Sequence, residues 1–181
     1  KQDVADDQLW CDCEIDLHGV HFTERVHLGG ITCRWLNANG ARFHNYLDLG
    51  MSTFTESASF YGATFSGDAR FLRARFRALA NFNMATFRGC MNFSKAFFQG
   101  DTRFRGIKYE GGGCGDFGGA RFNVAYWHTD PPIFLVESPG KFISELPCGA
   151  VWADFSGESA LEVDEPEAWC RENRSRDKLW G

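Results

Sequence analysis

The chain has 181 residues, 44% of them hydrophobic and 15% aromatic, with a formal net charge of -5, enough apolar material for a substantial core. No apolar run reaches the roughly 20 residues that a membrane-crossing helix needs, and the mild net acidity is unevenly spread, with acid concentrated in the flanks, from Asp3 to Asp16 and from Glu137 onward. Seven cysteines, at 11, 13, 33, 90, 114, 148 and 170, are odd in number and too sparse for a disulfide-stapled secreted fold, so reduced thiols and a cytoplasmic address are expected.

Lys1 to Gln8 is polar and acidic and is expected to cap the core, which begins at Leu9. No signal-peptide pattern precedes it, although a chain starting at Lys1 leaves a removed leader open. From there apolar residues recur in steps of five or six: Cys11, Leu17, Phe22, Leu28, Cys33, Ala38, Phe43, Leu49 and Phe54. Two residues before each stands a second apolar or small residue: Leu9, Ile15, Val20, Val26, Ile31, Leu36, Ala41, Leu47 and Ser52. The early laps use Val, Ile and Leu in that smaller slot, which predicts less regular packing.

Cys11, Cys13, His18, His21 and His27 are the one cluster of metal-ligand residue types. Cys11 falls on an inward slot, while His21 and His27 precede inward residues and therefore point outward from different sides. No metal site is expected. Cys11 and Cys33 are 22 apart and are expected to be reduced neighbours in adjacent laps.

Between Phe60 and Phe104 the steps become strictly alternating fives and sixes, at Phe60, Phe65, Phe71, Phe76, Phe82, Phe87, Phe93, Phe98 and Phe104, mostly with Ala two residues earlier. A helix would need returns at three and four, and an ordinary strand at two. A short strand with two inward positions, closed by a tight turn and repeated as one side of a coil, accounts for the spacing. Gly67, Gly89 and Gly111 recur at 22, with Gly100 and Ala78 halfway between, and mark corners needing positive φ or close backbone approach.

The units Ala63-Thr64-Phe65-Ser66-Gly67, Ala69-Arg70-Phe71-Leu72-Arg73 and Ala80-Asn81-Phe82-Asn83-Met84 resemble the pentapeptide-repeat proteins. That resemblance implies an all-β, right-handed, quadrilateral parallel β-helix with Phe and Ala inside. The extra residue in every second unit (Asp68, Leu79, Cys90, Asp101) predicts a lap of about 22 residues with two bulged sides.

Across these laps Arg70, Arg73, Arg75, Arg77, Arg88, Lys95, Arg103, Arg105 and Lys108 face only Asp68 and Asp101, which predicts a basic wall. Register breaks at Glu110 to Gly115, read as a flexible loop, and resumes with Gly115 and Phe117, Ala120 and Phe122, and Ala125 and Trp127. The coil is thus assigned to 9–127. Residues 128–148, punctuated by Pro131, Pro132, Pro139 and Pro147, form an insertion or cap. Residues 149–161 add final sides, among them Ala153-Asp154-Phe155-Ser156-Gly157, and 162–181 form a C-terminal capping helix opened by Asp164, Glu165, Pro166 and Glu167. The resemblance implies dimerisation through such an element, with Trp169, Leu179 and Trp180 as contacts.

No nucleophile motif or phosphate loop occurs, and neither a cofactor nor an enzymatic activity is expected. The reading is a non-enzymatic scaffold for a protein partner. The resemblance also implies an alternative, a DNA-mimicking protector of DNA gyrase, which asks for negative charge where this chain is positive. Nucleic-acid binding by the arginines is disfavoured against their role as solubilising cover.

Overall fold

The computed structural model describes residues 13–111, 114–126, 146–147 and 149–156. Over them the chain is a four-sided parallel β-solenoid. Strands pair with the equivalent strand of the next lap: Arg75–Phe76 with Phe97–Phe98, Leu79–Asn81 with Thr102–Arg103, Thr86–Phe87 with Lys108–Tyr109, and Met91–Asn92 with Gly115–Asp116. Two of the four sides join into one nine-stranded sheet, and the others are five-stranded sheets.

The alternating spacing has a geometric cause. Every side uses three residues: a small inward one, an outward one, and an inward ring. Side 1 carries the small slots Ile15, Leu36, Ala58, Ala80 and Thr102; side 2 Ala41, Ala63, Ala85 and Ile107; side 3 Leu47, Ala69 and Met91; side 4 Ser52, Ala74, Ala96 and Ala120. Corners after sides 1 and 3 take two residues, and those after sides 2 and 4 take three. Five and six therefore alternate.

The two-residue corners hold their second residue at positive φ. That position is Gly at 19, 30, 40, 62, 106 and 119, but Met51, Arg73, Met84 and Lys95 occupy it elsewhere, at a cost of about 1 kcal/mol or more each. The glycines singled out from the sequence act differently. Gly67, Gly89 and Gly100 sit in three-residue corners, where a Cβ would strike the backbone of the preceding lap; Gly111 alone of that set has positive φ. Close approach, not left-handed geometry, requires glycine at those three.

Lap length changes along the coil. Phe22 pairs with Phe43 at 21 residues and Phe43 with Phe65 at 22. The extra residue enters as a bulge where Thr53–Ser59 faces Thr32–Asn37, between Cys33 and Trp35. Phe98 pairs with Phe122 at 24 because the connection between Tyr109 and Gly115 is two residues longer than its counterpart one lap earlier.

Inside, the ladder Phe43, Leu49, Phe54, Phe60, Phe65, Phe71, Phe76, Phe82, Phe87, Phe93, Phe98 and Phe104 is at most 1% exposed throughout. Rings stack down each side, as in Phe65–Phe87 at 4.7 Å and Phe71–Phe93 at 4.6 Å. Rings of opposite sides meet edge to face across the axis: Phe60–Phe71, Phe71–Phe82, Phe82–Phe93 and Phe93–Phe104, at 5.1 to 5.7 Å. Such pairs add about 0.5–1.5 kcal/mol beyond area burial. Polar residues in small slots bond the backbone: Ser52 Oγ donates to the Leu28 carbonyl at 2.9 Å and Thr102 Oγ1 to that of Gly100 at 3.2 Å.

The first lap is looser. Ile15, Leu17, Phe22, Val26, Leu28 and Ile31 are only half-buried, and Val20, assigned inward by the pattern, is 40% exposed. Its side 2 ends the stack, with described chain on one flank only. Among the described residues the sulfur beside Cys33 is that of Cys13, and both are free thiols; the expected neighbour Cys11 lies outside the described residues. Cys90 and Cys114 form a disulfide, which corrects the expectation of reduced thiols throughout. The corner opposite Gly89 widens by two residues and brings Cys114 beside Cys90, a proximity that a strict 22-residue period hides.

Two further assignments change. Ala125 is exposed in the short 3-10 turn Val124–Tyr126, not inward. Side 4 resumes with Ala150 and Trp152, since Val151–Ala153 pairs with Arg121–Asn123 and Trp152 lies opposite Phe122. Ala153 is nevertheless buried and Phe155 half-buried. The polar cap 1–8, Leu9, Trp127, residues 128–145 of the insertion and the helix assigned to 162–181, with Trp169, Leu179 and Trp180, lie outside the described residues.

Candidate functional site

Outward positions form columns, one per side, because the register stacks lap on lap at about 4.8 Å. Side 1 shows Asp16, Asn37, Ser59, Asn81 and Arg103; side 2 His21, Arg42, Thr64, Thr86 and Lys108; side 3 His27, Asp48, Arg70, Asn92 and Asp116. Side 4 shows Thr32, Thr53, Arg75, Phe97, Arg121 and Val151.

Many of these side chains build the corners. Asp16, Asn37, Asp48, Asn81, Asn92 and Asp116 each accept a hydrogen bond from the backbone N–H two residues on, and in each case the residue three on has positive φ. The carboxylate or amide satisfies a donor that the turn strands. At two corners whose side lacks such a residue the preceding lap supplies it: Asn39 Oδ1 accepts from Tyr61 N–H at 3.0 Å, and Asn83 Oδ1 from Arg105 N–H at 2.7 Å. An Asx three residues before six of the ten tight corners is the sequence signal for this.

The seven arginines of the expected wall do not share one surface. Arg70 on side 3 pairs with Asp48 of the previous lap at 3.1 Å, Arg88 on a corner with Glu110 at 3.0 Å, and Arg103 on side 1 with Asp101 at 2.6 Å. Arg105 stands on the corner between sides 1 and 2. Only Arg73, Arg75 and Arg77 lie together, before, on and after side 4. Lys95 follows Arg73 one lap later, and Arg121 joins from the lap beyond. Among the described residues none of these five has an acidic partner.

Phe97 organises that group. Its ring is half-buried, with the Arg75 guanidinium 5.0 Å from its centroid and that of Arg121, from the lap on the other flank, at 5.5 Å. A cation over a ring contributes about 0.5–1 kcal/mol at an exposed site. Here the ring also separates two like charges. Elsewhere the described residues contain no cluster of His, Cys, Asp and Glu able to hold a metal ion. His21 and His44 approach with ring centroids 6.0 Å apart on side 2, and His27 lies against Tyr46. No helix of the described residues is long and apolar enough to cross a membrane.

Comparison with curated proteins and with solved structures returned no significant match. Residues 38–83 match the family model described as pentapeptide repeats, 9 copies. That stretch opens at Ala38, where the 22-residue lap is established, and the same four-sided geometry continues on both flanks. With its inward Ala and Phe stacked lap on lap, the stretch 38–83 is an array of pentapeptide repeats.

Proposed function

We propose that this solenoid is a non-catalytic scaffold that binds a protein partner through its outer columns. The observation that carries the reading is the filled interior: rings of opposite sides touch edge to face across the axis at 5.1 to 5.7 Å, so recognition falls to the outer surface. Each side keeps the same inward residues while its outward column varies freely. That division suits a rigid display surface.

The alternative is DNA mimicry toward gyrase, which requires a continuous acidic face. Side 3 mixes Asp48 and Asp116 with Arg70, and side 4 is basic, so complementarity to a DNA-binding surface is poor over these laps. Homodimerisation through Trp169, Leu179 and Trp180 remains part of the proposal.

The test places a photo-crosslinking residue at one outward position per side (Ser59, Thr86, Asn92 and Phe97) in the organism of origin. A stoichiometric protein adduct from one side, with the others silent, is expected. Silence from all four sides overturns the scaffold reading. Inhibition of gyrase supercoiling by the purified chain would replace it with the mimic.

A further inference from the structure

We propose that side 4 binds an extended, Asp- and Glu-rich segment of a partner protein through the row formed by Arg73, Arg75, Arg77, Lys95 and Arg121. The proposal rests on the scaffold reading above and names the chemistry of the partner.

Three observations support it. The first is how charge is distributed. Cations elsewhere on the described coil are largely neutralised at home: Arg34 by Glu14 and Glu56, Arg70 by Asp48, Arg88 by Glu110, Arg103 by Asp101. Arg25, Arg42 and Arg105 have no such partner but stand singly, on different sides or corners. On side 4 and its two corners five cations have no acidic partner among the described residues, because the acids of the corner after it are engaged elsewhere: Glu56 with Arg34, Asp101 with Arg103, and Asp154 with the Ser156 N–H; the fields of the five add.

The second is conformational. Arg73 and Lys95 stand in consecutive laps at φ of 56°, in a corner position that glycine fills at 30 and 119. Long side chains held in that geometry cost stability, and two of the three on this corner are basic. Local strain retained without a packing gain marks a surface kept for contact.

The third selects the partner. A single-stranded nucleic acid would use Phe97 as a stacking platform, since base–aromatic stacking carries such interfaces. Both flanks of that ring are already occupied by the guanidiniums of Arg75 and Arg121. What remains available is charge. Arg75 and Arg121 stand in one outward column two laps apart, with Arg73 and Lys95 on the corner before it and Arg77 on the corner after it, a set of cations spread across the laps that the carboxylates of an extended acidic segment can meet. Phe97 holds two of the guanidiniums apart and restricts their rotamers before binding, which lowers the ordering cost.

The experiment uses the full chain and two fluorescein-labelled probes of equal charge, decaglutamate and a single-stranded oligothymidylate, read by fluorescence anisotropy at 50 and 300 mM salt. Decaglutamate is expected to bind more tightly than the oligonucleotide, and to weaken with salt. Arg75→Gln with Arg121→Gln should weaken it at least tenfold, while Arg42→Gln with Arg105→Gln, of the same net charge, should change it less than twofold. Phe97→Thr alters no charge and places the residue found at 32 and 53 of the same column; it should weaken binding severalfold while the chain stays folded, with a melting temperature only a few degrees lower, as loss of the cation–ring contact implies. Absence of decaglutamate binding, equal loss in both double variants, or tighter oligonucleotide binding overturns the proposal. None of those results touches the scaffold reading, which the crosslinking experiment decides separately.

Discussion

Phe82 stacks on Phe60 of the preceding lap at 4.8 Å and on Phe104 of the following lap at 5.0 Å, and meets Phe71 and Phe93 edge to face. Removing its ring leaves a cavity lined by rings that the paired strands on either side hold in place. Phe82→Ala is therefore expected to cost about 3–5 kcal/mol, measured by urea unfolding; a loss under about 1 kcal/mol would mean that the stack carries little. The buried thiol of Cys33 behaves as a second reporter. Burial, with Cys13 beside it, pushes its pKa from 9.0 up to about 12, and burial also raises the Tyr109 phenol. Above pH 9 the unfolded chain gives up a thiol proton that the folded chain keeps. Stability from this group is full below about pH 9 and is lost as pH climbs toward 12. Unfolding midpoints should fall between pH 8.5 and 10.5, less steeply in Cys33→Ala; a flat profile would contradict the burial.

At the scale of one side and its corner, backbone contact between laps is the controlling feature. At Gly100 the Ala78 backbone lies where a Cβ would stand, so Gly100→Ala must push two laps apart. A loss of about 3 kcal/mol is expected, at the upper end of overpacking costs; a melting temperature equal to that of the parent would show that the corner gives way freely. The corner between sides 2 and 3 is instead clamped covalently, Cys90 to Cys114 across 24 residues. In the chain-entropy description, closing a loop of that length contributes about 3 kcal/mol. Reductant should lower the unfolding midpoint of the parent chain and leave Cys90→Ser unchanged; an equal response in both would place the effect elsewhere. The ladder of Phe60 to Phe104 was legible because its period is local and strict. The clamp was not, because it depends on two added residues whose effect is to bring a corner across from another lap.

For the whole molecule, stability is expected to follow the quality of inter-lap packing, since each lap touches only its neighbours. The backbone hydrogen bonds are alike throughout: Leu17 N–H to Asn37 at 2.7 Å, Leu28 N–H to Asp48 at 2.8 Å, Phe82 N–H to Arg103 at 2.7 Å, Phe93 N–H to Asp116 at 2.7 Å. Burial differs, the first two residues being half-buried and the last two fully buried. Hydrogen exchange should accordingly be faster at Leu17 and Leu28 than at Phe82 and Phe93 by at least tenfold. Equal protection along the coil would show a single cooperative unit instead.

Sequence alone determined the solenoid, its inward residues and the 22-residue lap, because a filled tube forces the same residue classes into the same slots on every turn and leaves that constraint written as a period. Tertiary structure decided what the outside does. Arg70 and Arg75 are five residues apart in one basic run, yet one faces Asp48 and the other Phe97; their neighbours come from other laps, and no local pattern states which side of the tube each one meets. The same cause separated the expected wall into Arg70, Arg88 and Arg103 paired with acids, Arg105 standing singly, and a concentrated row on side 4.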